Sequence, residues 1–261
     1  MSVAREEPLH IIVPEDHLVQ LYAADTNMLA FKVGAYIFEG WQSGIPALVI
    51  AGEKNRDRIL AQLKSQGTNT NDVLADGSLQ VLNAQETLAR FMVNGFPDAR
   101  LFDTVVGNLV RSTLARGAGL RAYGDMAGVL WSAGEAPAAI RLEQLWNKLR
   151  ADFPFGLFCG YAIDIFSEAF EATSVNALLC AHTHLLPTGS ADDLSAAVSR
   201  AMDDVLGPQN NQGHPLFAPF NECAQLPKGE AMILWVRLNL PAKASEILEL
   251  ARRYYYDSSP A

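Results

Sequence analysis

Polar and reactive side chains lie where the predicted strands of residues 121–161 end. Asp125 follows the fourth predicted strand, and Cys159 and Tyr161 alternate on the fifth, so that the last two share a face. In open α/β sheets, ligands bind in the crevice outside the carboxyl ends of the strands. These three residues therefore predict a ligand site at that edge of the sheet.

The position of Asp125 allows two interpretations that are compatible with each other. As an acid at a strand end it could hold a Mg²⁺-bound water or act as a general base, as in nucleotide hydrolases. As an aspartate directly before a predicted helix it could cap that helix through its side chain. A carboxylate that caps a helix at a strand end still faces the crevice.

Large apolar side chains near Asp125 supply either protein core or the lining of an apolar ligand pocket. Met126 and Trp131 lie in the helix that follows Asp125. For each of these side chains taken alone, packing in the protein core is the expected role. Glu143 and Asn147, four residues apart on the next helix, could bond to each other on its surface or orient a ligand.

Three residues of metal-ligating types stand close together at Cys180, His182 and His184. A helix would place Cys180 and His184 on one face, as a metal site requires. No Cys-x-x-Cys pair or further clustered acid accompanies them, which favours histidines bonded to carbonyls at a helix end. We therefore predict no metal ion and no cofactor, with these three as weak candidates for a metal site. Cys159 could be a nucleophile only if the fold brings a histidine, such as His182, beside it.

The sequence lacks the phosphate-binding loop of nucleotide hydrolases. That loop, Gly-x-x-x-x-Gly-Lys-Ser/Thr between the first strand and helix, holds phosphates with backbone amides and a lysine. The corresponding residues 22–28 contain no glycine, and Asp25 would repel a phosphate. The sequence therefore argues against ordinary ATP hydrolysis.

The elements that carry these residues alternate between strands and helices. Short apolar runs predict strands at residues 17–22, 47–51, 79–82, 120–123 and 155–159. Amphipathic spacing predicts helices at residues 25–42, 54–66, 98–116 and 137–150, and residues 166–185 also have a helical pattern. Such βαβ units form a largely parallel sheet with helices on both faces. We expect an α/β fold with a mostly parallel central sheet.

Composition divides the chain into three parts. Residues 1–16 are polar and contain two prolines, which predicts an extended arm, and residues 17–189 carry the repeating α/β pattern. Residues 190–261 predict a helical C-terminal extension: an amphipathic helix at 191–206, a proline-rich connector at 207–229 and a helical hairpin after it.

Composition also excludes several classes of protein. The 261 residues carry a formal charge of −9 and contain no basic run, so direct nucleic-acid binding is not expected. The sequence lacks a signal-peptide pattern and any apolar stretch near the roughly 18 residues of a membrane helix. Three cysteines, a small and odd number, favour reduced thiols. We expect a cytoplasmic globular protein that contacts no membrane.

Residues 17–187 also contain a linked set of motifs. The set consists of His17-x-x-Gln20-x-Tyr22, Phe38-x-Gly40-x-x-x-Gly44-x-Pro46, Glu86-Thr87-Leu88 with Phe91-Met92, Arg121-x-Tyr123-Gly124-Asp125-Met126 with Leu130-Trp131 and Gly134, Leu142-Glu143-x-x-Trp146-Asn147, Cys159-x-Tyr161, and Cys180-x-His182-Thr183-His184 with Pro187. Together they resemble the MEDS family, the sensory domain of methanogen and methylotroph regulators and a relative of the KaiC and RecA-like domains.

The resemblance implies a RecA/KaiC-like three-layer sandwich that has lost its phosphate loop and senses small organic or hydrocarbon-like compounds. Such domains are joined to a DNA-binding or histidine-kinase module, for which this sequence shows no signature. We therefore predict a non-enzymatic signal-transduction module in transcription regulation. A small, apolar organic ligand would bind at the strand-end crevice and act through the helical extension or a protein partner, a kinase or regulator. The residues expected to contact it are Asp125, Met126, Trp131, Cys159, Tyr161, His182 and His184.

Three alternatives stay open. The first is a nucleotide-binding RecA/KaiC-like ATPase with an atypical phosphate site, in which Asp125 and Glu53 hold Mg²⁺. The second is a metal-dependent enzyme centred on Cys180, His182 and His184. The third is an assembly protein whose terminal helices form a homo-oligomer.

Overall fold

A computed structural model describes residues 16–23, 26–189, 191–207 and 226–257. The chain forms two compact units, Met1–Ala162 and Ile163–Ala261. Nearly all of the predicted N-terminal arm, the aspartate at position 25 and most of the predicted connector lie outside the described residues. The predicted domain boundary at residue 189 falls inside the second unit.

A parallel sheet forms the centre of the first unit. Its strands are β1 (His17–Leu21), β2 (Ala47–Ala51), β3 (Leu79–Asn83), β6 (Arg121–Gly124) and β7 (Gly156–Tyr161), while β4 (Met92–Val93) and β5 (Phe96–Pro97) form a separate hairpin. The five strands follow the order β3–β2–β6–β7–β1, and each neighbouring pair is parallel. Every residue of β1, β2 and β7 is buried, as in a sheet covered on both faces.

Helices cover both faces of this sheet. They are α1 (Asn27–Gln42), α2 (Glu53–Ser65), α3 (Thr70–Ala75), α4 (Ala84–Ala89), α5 (Ala99–Phe102), α6 (Asn108–Leu114), α7 (Met126–Ser132) and α8 (Ala136–Asp152), with a π-helical turn, Asp103–Gly107, between α5 and α6. The chain crosses the sheet from β1 through β2 to β3, and then returns through β6 to β7. Right-handed crossovers therefore place α1 and α2 on one face and α7 and α8 on the other. The first unit is a three-layer α/β sandwich, as predicted.

Local sequence explains where several elements begin. Asn83 accepts a hydrogen bond from the N–H of Glu86 at 3.0 Å, and Asp98 accepts one from the N–H of Leu101 at 2.8 Å. Both side chains thereby cap the helix that follows them. The predicted strand at residues 47–51 agrees with β2 residue for residue.

The helix predicted at residues 166–185 is shorter in the structure at both ends. The structure has α9 (Ala172–Cys180) followed by a strand, β8 (His184–Leu186). The amide of His182 bonds at 3.1 Å to a carbonyl three residues earlier, a tight turn that closes the helix. Pro187 cannot continue a helix and restricts the residue before it to extended conformations, so the short apolar run becomes a strand.

Helices dominate the second unit. Besides α9 and β8 it contains α10 (Ala191–Leu206), α11 (Lys228–Asn239) and α12 (Ala244–Asp257). α10 packs against both α11 and α12, so the three helices predicted for the extension are present in its described part. Among the described helices of both units, none combines the length and the apolar character needed to cross a membrane.

Gly128 sets the distance between α7 and β7. A Cβ atom at this position would lie 2.2 Å from the carbonyl oxygen of Gly160, far inside the contact distance of two atoms. Any side chain here would push α7 away from the sheet, because well-packed interiors do not absorb extra atoms without shifts of the backbone.

We predict that Gly128→Ala lowers the free energy of unfolding by about 1–3 kcal/mol, the usual cost of overpacking. Gly119→Ala is the matched control, because a Cβ there would meet Ile45 at 3.7 Å, an ordinary contact. Urea unfolding followed by circular dichroism measures both variants. Equal stability of the two would contradict this account of the contact between α7 and β7.

Candidate functional site

The carboxyl ends of four strands open into a crevice in the first unit. β1, β2, β6 and β7 end beside it at Tyr22, Gly52, Asp125 and Ala162, and its volume is about 780 Å³. The chain leaves β2 toward β3 and leaves β6 toward β7, in opposite directions across the sheet. Neighbouring strands whose connections diverge in this way leave a gap, which is where open α/β sheets bind ligands. We call this gap the strand-end crevice.

Asp125 binds across the crevice to the end of the neighbouring strand. Its carboxylate accepts the N–H of Gly52 at 3.0 Å and 3.1 Å, one distance for each oxygen, and the side-chain amide of Asn55 at 2.9 Å. It occupies the N-cap position of α7, but its side chain makes no capping hydrogen bond. Asp125 therefore stands directly before the helix, as predicted. The predicted capping bond of its side chain is wrong, because the Gly52 and Asn55 donors hold the carboxylate instead.

Burial changes the acidity of Asp125. The side chain is 3% exposed, and removal from water raises its pKa to about 6, although the hydrogen bonds from Asn55 and Gly52 act in the opposite direction. An acid with this pKa changes its charge just below neutral pH. Acids with a shifted pKa of this kind are concentrated at functional sites.

The remaining polar groups of the crevice are mostly neutral or acidic. Asn55 also donates to the hydroxyl of Tyr22 at 3.1 Å, and burial raises the pKa of that hydroxyl. Glu53 lines the crevice with a side chain that is 79% exposed and lies 3.7 Å from Arg56. Of the described lining residues, Lys54 is the one with a basic side chain. The crevice therefore offers little attraction for a polyanion.

A second polar group is buried beneath α8. His17 from β1, Cys159 and Tyr161 from β7, and Glu143 and Asn147 from α8 form what we call the buried polar cluster. His17 Nε2 lies 3.3 Å from Cys159 Sγ and 3.4 Å from Glu143 Oε2. The Tyr161 hydroxyl donates to Glu143 Oε1 at 2.5 Å, and His17 Nδ1 donates to Asn147 Oδ1 at 2.9 Å.

His17 lies beside Cys159 in the first unit, and the sequence motifs did not assign it to a site. Cys159 is a free thiol and 2% exposed. Burial raises its pKa well above the ordinary value, and the charge of Glu143 raises it further. A buried thiol that keeps its proton is a poor nucleophile, so burial argues against nucleophilic catalysis by Cys159 even though a histidine lies beside it.

The other residues predicted to contact a ligand near Asp125 lie beside the strand-end crevice or in the buried polar cluster. The ring of Trp131 on α7 meets the ring of Tyr161 edge to face, with centroids 5.9 Å apart. Met126, the first residue of α7, is buried in the core. Tyr161 and Cys159 point toward α8 and belong to the buried polar cluster, whereas Asp125 faces the crevice.

Each candidate of the second unit has at least one contact with a nearby residue. His182 Nδ1 donates to the carbonyl of Leu178 at 2.7 Å, the helix-end bond that the sequence favoured. His184 lies 3.0 Å from the hydroxyl of Thr183 and begins β8, so the predicted helical face shared with Cys180 is wrong. Cys180 is in a disulfide, which also corrects the expectation that it is a reduced thiol. Within the described ranges, Cys180, His182 and His184 do not converge as a three-ligand group.

Sequence reasoning missed three residues that hold these groups together. Gly52 and Asn55 follow β2 directly, and a small residue and an amide after a buried strand are a signal that could have been used. His17 is a polar residue at the start of a fully buried strand, which is also visible in the sequence. Its partner Cys159 is 142 positions away and could not be inferred from spacing.

Comparison with known families gives one match. The family described as MEDS: MEthanogen/methylotroph, DcmR Sensory domain, matches residues 16–183. The match covers the strand-end crevice, the buried polar cluster and more than half of the chain, and it confirms the resemblance found in the motifs. No curated protein and no solved structure matches.

We predict that the contribution of Asp125 to stability falls as the pH rises from about 4 to about 6. Its pKa is about 6 in the folded chain against 3.8 ordinarily, so in this range the folded chain holds a proton that the unfolded chain has lost. The fall is at most about 3 kcal/mol, at roughly 1.36 kcal/mol per pKa unit. The measurement is the unfolding free energy of the wild type minus that of Asp125→Asn at several pH values.

Asp103→Asn is the control, because the contribution of Asp103 to stability should change with pH in the opposite direction. The hydrogen bond from Arg111 lowers the pKa of Asp103, so any contribution of this exposed acid is present at neutral pH and is lost as the pH falls. A difference for Asp125→Asn that is flat across the window, or that increases with pH, would show that folding does not raise the pKa of Asp125.

Proposed function

The chain belongs to the MEDS family of sensory domains, and on that premise we propose that it is a non-enzymatic signal-transduction sensor. The proposed ligand is a small organic molecule that binds in the strand-end crevice. The observation that carries the proposal is the buried Asp125 carboxylate, which faces the crevice and is held by Gly52 and Asn55.

The charges of the crevice favour a ligand with a hydrogen-bond donor. Asp125 and Glu53 provide acidic groups, and Lys54 provides a single basic one. A buried carboxylate gains most from a donor or a cation, because desolvation otherwise disfavours its charge. An amine or an alcohol with a short apolar chain meets these conditions, since Ala23 and Val129 supply apolar wall.

The position of Asp125 also argues against triphosphate hydrolysis. Gly52 is the N-cap residue of α2, and the amides at a helix N-terminus are the groups that bind phosphate in nucleotide hydrolases. Here the Gly52 amide already bonds to the Asp125 carboxylate. A phosphate at this place would have to displace a carboxylate and would then face its negative charge.

The signal is proposed to arise as a shift between two arrangements of the strand ends. A ligand that contacts one arrangement better than the other moves the equilibrium by its differential affinity. We propose that the change reaches the helices of residues 190–261, self-association of the chain, or a protein partner such as a kinase or transcription regulator. His182 and His184 remain predicted ligand contacts, and Met126 and Trp131 are proposed to hold α7 in place behind the crevice.

The test is thermal unfolding of the full chain with a panel of amines, alcohols and carboxylates of one to four carbons. A ligand at 100 times its Kd stabilises the folded state by about 2.7 kcal/mol, which raises Tm by several degrees for a chain of this size. We expect a shift with at least one amine or alcohol and none with the matching carboxylate. Asp125→Asn should abolish the shift, whereas the exposed control Asp103→Asn should retain it.

Two results would contradict the proposal. The first is stabilisation of the wild type by Mg-ATP together with release of phosphate, which would support the ATPase alternative. The second is an amine or alcohol that binds Asp125→Asn as tightly as the wild type in calorimetry, which would place its site elsewhere. Alanine variants of His182 and His184 in the same assay test their predicted contacts.

A further inference from the structure

We propose that His17, Glu143 and Cys159 form a binding site for a zinc ion in the first unit. The three side chains come from β1, α8 and β7 and are all buried. Their ligand atoms, Nε2, Oε2 and Sγ, lie within 4.8 Å of one another. The proposal does not depend on ligand binding in the strand-end crevice.

The distances between the three atoms are those of a tetrahedral zinc site. A sulfur about 2.3 Å from zinc and a nitrogen and an oxygen about 2.0 Å from it, at tetrahedral angles, lie about 3.3–3.6 Å from one another. Here the nitrogen is 3.3 Å from the sulfur and 3.4 Å from the oxygen, and the sulfur is 3.7 Å from the oxygen. An ion can therefore enter with movements of a few tenths of an ångström.

Two further residues orient these ligand atoms. Asn147 Oδ1 can only accept a hydrogen bond, so His17 Nδ1 carries the proton and the lone pair lies on Nε2, the atom nearest the other ligands. The Tyr161 hydroxyl donates to Glu143 Oε1 and leaves Oε2 on the side of Cys159. Histidine and carboxylate ligands of zinc are typically fixed by such hydrogen bonds.

The charges of the site balance when zinc binds. A carboxylate, a thiolate and a neutral imidazole carry two negative charges, which the two positive charges of the ion offset. The Cys159 thiol gives its proton to solvent as the S–Zn bond forms, so binding releases one proton. Coordination thereby gives a buried carboxylate a compensating charge, which buried ions require.

The identities of the ligands select the metal. One sulfur, one nitrogen and one oxygen suit zinc, which accepts all three donor types, whereas calcium and magnesium prefer oxygen alone. Where a protein supplies three ligands to zinc, a water molecule takes the fourth tetrahedral position. The site therefore needs no further residue of the first unit.

Cobalt(II) is the probe, because it occupies zinc sites and reports its ligands by absorption. The full chain is freed of metal with a chelator, exchanged into chelator-free buffer and titrated with Co²⁺. We expect one tight equivalent, a thiolate-to-cobalt charge-transfer band in the near ultraviolet and the strong visible bands of tetrahedral coordination. One equivalent of Zn²⁺ should remove all of these bands.

Variants assign the bands to residues. Cys159→Ser should abolish the charge-transfer band, and His17→Gln or Glu143→Gln should abolish tight binding. Tyr161→Phe and Asn147→Ala should weaken the affinity for Co²⁺ by about 10–100-fold, the usual effect of losing a bond to a metal ligand. The exposed Glu86→Gln and the buried Val19→Ala are the matched controls, and both should bind like the wild type.

Each of the following results would overturn the proposed zinc site. A folded wild type that binds no Co²⁺ or Zn²⁺ tightly overturns the proposal, and so does a charge-transfer band that persists in Cys159→Ser. If Cys159→Ser fails to fold by circular dichroism, Tyr161→Phe decides the question, because unchanged Co²⁺ affinity in that variant contradicts the site. Amine binding in the crevice is measured separately, so failure here leaves that result unaffected.

Discussion

The hydrogen bond between the Asp125 carboxylate and the amide of Gly52 is the contact on which the strand-end crevice depends. It joins the end of β6 to the first residue after β2, the two neighbouring strands whose connections diverge. It also brings a negative charge to the N-terminus of α2, where the free amides of a helix would otherwise attract an anion. One interaction therefore shapes the crevice and opposes phosphate, while burial raises the pKa of the same carboxylate to about 6 at the wall of the crevice.

The crevice and the buried polar cluster share one structural support. Tyr161 donates to Glu143 within the cluster, and its ring packs against Trp131 of α7. The same helix presents Gly128 and Val129 to the crevice. Because Gly128 leaves no space between α7 and β7, a change at either group acts on the position of this helix. This packing would link the proposed zinc ion in the buried polar cluster to the proposed ligand in the crevice, within one unit.

Sequence alone predicted the features that depend on neighbouring residues. The buried run of β2 and the α/β alternation follow from local patterns. The hairpin of β4 and β5 was missed, although its turn, Asn94-Gly95, is a known hairpin signal with positive φ at both residues. The contacts of Asp125 and His17 could not be predicted, because they join strands far apart in the chain whose adjacency only the sheet order reveals.

The most direct test of the account is an amide NMR spectrum of the full chain titrated with a short-chain amine or alcohol that stabilises it. The largest shifts should fall on the backbone amide of Gly52 and the side-chain amide of Asn55, because both donate to the carboxylate that the proposed ligand would contact. Shifts confined to other parts of the chain, with these two signals unmoved at saturation, would contradict it.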